Sequence, residues 1–126
     1  MAGFVCKDKP LDSPQVVLRP PTDAARAKMI HSFCWDREAK LQLLRVPQGV
    51  YAVFAYVWEE TSPETFRICL NGKVVEPHYH TGPAGRWRRL GPWIIDIDSG
   101  SITITSERGA ANFSGIEVWR QTDKSQ

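Results

Sequence analysis

The 126-residue chain contains no run of about 18 apolar residues, so nothing in it reads as a membrane-spanning helix. It has no marked excess of either charge: 16 basic and 14 acidic residues leave a net +2, too balanced for a dedicated binder of nucleic acid or of a membrane surface. Only three cysteines occur, Cys6, Cys34 and Cys69. They form no CxxC pair, which argues against a zinc site. Cys69, inside an alternating stretch, reads as a small core residue; whether Cys6 and Cys34 pair is a question of geometry. The amino-terminal MAGFVCKDKP carries charges where a signal peptide would place its apolar segment. No nucleophile elbow G-x-S-x-G and no D-x-D-x-D-G calcium loop is present. A structural calcium ion is therefore not called for, and no cofactor is expected.

What is present is β-strand patterning, clearest between Gly49 and Gly72 (GVYAVFAYVWEETSPETFRICLNG). Strand side chains alternate, so Tyr51, Val53, Ala55 and Val57 face one way and Phe54, Tyr56 and Trp58 the other. A half-buried strand needs one apolar face. The second face here is a row of three aromatics, which either packs beneath another layer or offers a flat surface to a ligand.

The rest of the chain follows the same logic. Residues 1–14 and 121–126 read as tails around one domain at 15–120. Val16–Leu18 reads as a short strand closed by Pro20 and Pro21. Residues 22–28 suit a single helical turn capped by Thr22 or Asp23. Met29–Trp35 reads as a strand, and Leu41, Leu43 and Val46 lie on another. Phe66, Ile68 and Leu70 alternate with polar neighbours up to Asn71-Gly72, a strong hairpin signal. The Gly- and Pro-rich stretch Pro77–Pro92 reads as mostly loop. Alternation returns at Trp93–Asp98, at Ile102/Ile104, and in the closing strand Phe113–Trp119 with Ile116 and Val118 inward. Eight or nine short strands, turns every 8–12 residues and no convincing helix predict an all-β fold, an antiparallel β-sandwich or barrel.

The pieces Gly49/Tyr51/Val53, Trp58/Glu59, Phe66/Ile68/Leu70/Asn71/Gly72, Ser99/Gly100 and Asn112/Gly115/Ile116/Glu117/Val118 stand in an order that resembles malectin-like domains and related jelly-roll modules appended to carbohydrate-active enzymes. The resemblance spans about residues 41–120. It implies a jelly-roll sandwich that binds carbohydrate without catalysis, as a domain of a larger exported protein, extracellular or periplasmic. It puts Trp58 where malectin has a sugar-stacking aromatic. Glu59 replaces the adjacent malectin aromatic, and Asn112 falls near an acidic ligand-binding position.

Sugar recognition needs an aromatic ring against the C–H face of a pyranose and planar polar groups for its hydroxyls. Tyr56, Trp58, Trp87 and Trp93 are the candidate rings. Glu59, Glu60, Asn112 and Arg86 are the candidate polar partners. In a small sandwich most tryptophans belong to the core, and Trp35 and Trp93 are assigned there. Trp58 and Trp87 stand apart because each lies at a strand end or in a Gly-rich loop beside charged residues. Trp119 shares an outer face with Glu117 and reads as a surface or partner-packing residue. His78 and His80, two apart, resemble a metal pair but lack a third ligand at telling spacing. A hydrogen-bonding role toward a ligand remains for them. Arg86, Arg88 and Arg89 form a local basic cluster that would suit an acidic or sulfated glycan.

Catalysis by paired carboxylates needs two groups facing each other across a cleft. Glu59/Glu60 and Asp96/Asp98 do not supply this, since adjacent residues on one strand point to opposite faces. The chain therefore reads as a non-catalytic carbohydrate-binding module whose partners are an oligosaccharide or polysaccharide and the other domains of a parent protein. In that reading Trp58 stacks on the sugar, Glu59, Glu60 and Asn112 take hydroxyls, Trp87 extends the site, and Tyr56, His78, His80 and Arg86 line it. The alternative is a structural or protein-interaction sandwich with its aromatic row buried against a partner.

Overall fold

A computed structural model describes residues 5–6, 11–36, 40–98, 100–109 and 111–121; for residues 5–6 and 34–36 it describes the backbone only. Among the described residues, ten strands form two five-stranded antiparallel sheets packed face to face. The first sheet holds β1 (Val5–Cys6), β4 (Lys40–Val46), β9 (Gly100–Glu107), β6 (Thr65–Leu70) and β7 (Lys73–His80), in the order β1-β4-β9-β6-β7. The second holds β2 (Leu11–Asp12), β3 (Ser32–Asp36), β10 (Ala111–Arg120), β5 (Gly49–Trp58) and β8 (Trp87–Ile97), in the order β2-β3-β10-β5-β8. The all-β sandwich expected from the alternation is the fold.

The core lies where the two inner faces meet. Leu41, Phe66, Ile68, Leu70, Ile102 and Ile104 come from the first sheet. Tyr51, Val53, Ala55, Val57, Phe113 and Val118 come from the second. Cys69 is buried, with a free thiol. Two breaks in period two have local causes. Arg45 takes a positive φ of 58° at a register shift between Leu43 and Val46, which returns Val46 to the interior. A second shift between Phe113 and Gly115 lets Phe113 and then Ile116 and Val118 face inward from one strand. The Asn71-Gly72 turn has both residues at positive φ, 49° and 84°, as a tight hairpin requires. Gly91 stands at a shift between β5 and β8, with φ 112°. A Cβ there would sit 2.5 Å from the Val53 carbonyl oxygen, so any side chain would force the strands apart.

Three stretches differ from expectation. Met29–His31 is not strand but the end of a helix, α1 (Ala24–His31). The Asp23 carboxylate accepts from the Arg26 N–H at 2.8 Å and starts it, and burial of Ile30 holds its last turn in place. Val16–Leu18 is not a strand; it crosses the outside of the second sheet, where Leu18 packs with Ile30, Phe33 and Trp58. The expected loop 77–92 shrinks to residues 81–86, because β7 runs on to His80 and β8 starts at Trp87. The two short pairings β1–β4 and β2–β3 fall within the stretch read as a lead-in. The side chains of Cys6, Cys34 and Trp35 lie outside the described set, so the pairing of the two cysteines and the core place of Trp35 do too.

Candidate functional site

Most of the candidate aromatic residues sit on the outer face of the second sheet, and the two ends of that face have different fates. At one end the register sets Asn112 opposite Trp58 and Trp58 opposite Trp87. The sequence-derived residues Trp58, Asn112, Trp87 and Tyr56 are thus brought together. They are brought together as an interior. Trp58 is 1% exposed. Phe33 and His31 meet its ring edge-on at 5.4 and 5.6 Å, beneath α1 and residues 16–18. The expectation of an open indole at the tip of β5 is corrected: a stacking ring is also a large apolar surface, and the helix arriving before β3 covers it.

The polar candidates beside Trp58 are likewise committed to structure. Glu59 is 4% exposed. Its carboxylate accepts from the Thr81 hydroxyl at 2.9 Å and from the Thr61 N–H at 3.0 Å, tying the 59–64 loop to the 81–86 loop. Glu60 accepts a hydrogen bond from the Ser13 hydroxyl. Asn112 is buried, and its Oδ1 has no hydrogen-bond partner among the described residues. Trp87 is half-buried, donating from Nε1 to the Pro20 carbonyl at 2.7 Å and stacking on Tyr56 with 6.2 Å between ring centroids. Arg86 lies against Gly82. His78 and His80 are exposed but belong to β7 of the other sheet, where His80 Nδ1 lies 2.9 Å from the Thr65 hydroxyl. Among the described residues no three His, Cys, Asp or Glu side chains are grouped to hold a metal ion.

The opposite end of the face is open. Its first row runs Trp119–Ala52–Ile94 across β10, β5 and β8. Trp119 is 59% and Ile94 61% exposed, with the small Ala52 between them, which makes a shallow trough. In the next row Glu117 stands opposite Phe54, and the Arg89 guanidinium lies 3.6 Å from the centroid of the Phe54 ring. Glu117 is the hub. It accepts from the Tyr56 hydroxyl at 2.9 Å, from Arg89 Nε at 3.1 Å and Nη2 at 2.8 Å, and from Trp119 Nε1 at 2.5 Å. These charge-assisted bonds, Arg89 first, hold its carboxyl down to about 2 against the opposing effect of burial. The same contact raises the Arg89 pKa, and burial followed by the bond to Glu117 raises that of Tyr56. The result is an indole pinned at its nitrogen and a guanidinium with N–H groups left over for a ligand. The alternation of Glu117 and Trp119 was visible in the sequence; their placement beside Phe54 and Arg89 depends on register.

No protein-family model matches the chain, and neither does any curated protein sequence. Solved structures do match. A Bacteroides uniformis beta-glucuronidase superposes with a TM-score of 0.71 at 21% identity over 96% of this chain, which spans 14% of the glucuronidase chain. A CBM35 from Paenibacillus barcinonensis superposes with a TM-score of 0.51 at 13% identity over 94% of both chains. A family 35 carbohydrate binding module from an environmental isolate gives 0.52 at 17% identity, over 94% of this chain and 88% of that one. The likeness establishes a shared jelly-roll fold. It takes in nearly all of the two modules but only a fragment of the glycosidase.

Proposed function

We propose that this chain is a non-catalytic carbohydrate-binding module that targets a longer protein to its glycan. The observation that carries the reading is the open trough at Trp119, Ala52 and Ile94, bordered by the Glu117–Arg89 pair. A pyranose laid on the trough would set its C–H face on the Trp119 indole and its hydroxyls against Arg89. Glu117 and Tyr56 position these groups. Two things support the reading: the fold shared with modules named for carbohydrate binding, and the malectin-like motif order of residues 41–120. An extracellular or periplasmic setting would follow from such a role. Titration calorimetry against soluble xylan, β-glucan, mannan and galactan tests it. Binding to at least one is expected, weakened at least tenfold in Trp119→Ala; binding unchanged in that variant would remove Trp119 from the site.

A second reading, a packing face for a neighbouring domain, is favoured by Ile94 and Val50, both exposed beside Trp119. Self-association or partner association abolished by Ile94→Lys, with no polysaccharide bound, would favour it over the first.

A further inference from the structure

One flank of the sandwich is open. β7 is the last strand of the first sheet and β8 the last of the second, and a cleft of about 620 Å³ opens between them. Its floor is apolar, made by Leu70, Val75, Trp93 and Ile95; Lys73 and Asp96 stand exposed on its rim. Trp93 is only half-buried, so part of its indole faces the cleft.

The volume and lining are those of a small-ligand site: an aromatic surface, an apolar floor and a few polar groups at the edge. Two exposed strand edges would ordinarily invite an added peptide strand. Here each edge is blunted. Pro92 on β8 and Pro77 on β7 have no N–H to donate, and both strands carry register shifts. A peptide would find broken ladders, whereas a saccharide needs no ladder. Ile94 borders both the cleft and the Trp119 trough, which lie on the two sides of the β8 edge.

We propose that the cleft between β7 and β8 is a second saccharide subsite, with Trp93 as its ring surface and Lys73 and Asp96 as its hydroxyl contacts. This rests on the carbohydrate-binding reading and deepens it. The ligand is then an extended chain crossing the β8 edge from Trp119 to Trp93, rather than a single terminal sugar.

The experiment compares disaccharides and hexasaccharides of the β-1,4-xylan, β-1,3-glucan, β-1,4-mannan and β-1,4-galactan series by calorimetry. The wild-type protein is expected to hold a hexasaccharide at least tenfold more tightly than its disaccharide. Trp93→Ala should erase that gain and leave disaccharide affinity in place. Because Trp93 also packs on the core, the exposed pair Lys73→Ala with Asp96→Ala provides a variant that leaves packing intact, and it should cut the gain at least threefold. Indole N–H resonances give a third readout: the hexasaccharide should shift both Trp93 and Trp119, the disaccharide Trp119 alone. Binding without length dependence, or a length gain that survives both variants, overturns the second subsite and leaves the trough standing. Binding of none of the four series overturns both.

Discussion

The two ends of one sheet face carry similar aromatic residues and treat them in opposite ways. Around Trp58, the indole meets Phe33, His31, Ile30 and Leu18 and becomes a second small core. Around Trp119, no helix arrives from among the described residues, and the indole is held at its nitrogen by Glu117 while more than half of it stays exposed. The strands do not differ in kind: β5 and β10 run through both ends. What differs is cover. Residues 16–31 reach only far enough to lie over Trp58 and Trp87. A buried aromatic adds to stability by the area it loses to solvent. An exposed one adds little, and is useful where a ligand supplies the missing contact.

Breaking the covered end should have the largest effect. Trp58→Ala is expected to lower stability by about 3–5 kcal/mol, the range for truncating a fully buried large aromatic, read as a shift in the urea midpoint. Trp119→Ala should move that midpoint by less than about 0.5 kcal/mol, as surface substitutions do, while costing at least tenfold in saccharide affinity. If the two variants behaved alike in either assay, the contrast between the ends would be wrong. Next in size is the cap of the covering helix. Asp23→Ala should cost about 1 kcal/mol and increase acrylamide quenching of tryptophan fluorescence, as α1 frays away from Trp58.

The smallest effect concerns Glu117 and acid. Its folded pKa of about 2 lies below its ordinary value of 4.5, so its contribution is fully present above pH 4.5 and is lost as pH falls through about 2. The pair is partly solvated, with 26% of the Glu117 side chain and 41% of Arg89 exposed, so the contribution is modest. Glu117→Gln should therefore be slightly less stable than wild type at pH 7, and the gap should close as pH approaches 2. A gap that stayed constant from pH 7 to pH 2 would separate Glu117 from the stability of the open end.

Much of the sandwich was legible in the chain. Alternation marked β5, β6, β9 and β10 because each buries one face in the core. The Asn71-Gly72 turn was legible because few other pairs accept two positive φ angles. The start of the helix and its Asp23 cap were legible too, but not its run on to His31, since Met29 and Ile30 read equally well as strand until packing against Trp58 selects between the two. Pro77–Pro92 reads as loop, where most of it is strand, for a related reason. Proline and glycine mark loops in isolation, yet at an edge strand they are tolerated, and there they blunt the edge.

The candidate site divides along the same line. That Phe54, Tyr56 and Trp58 form one row, and that Glu117 and Trp119 share a face, follows from period two and needs no structure. Which of these aromatics meets water was decided by a segment some 30 residues away in sequence, Val16–His31, folding over one end of the sheet and not the other. Local spacing fixes the direction of a side chain relative to its own strand. Exposure depends on what the rest of the chain brings to that place, and only the tertiary structure decides it.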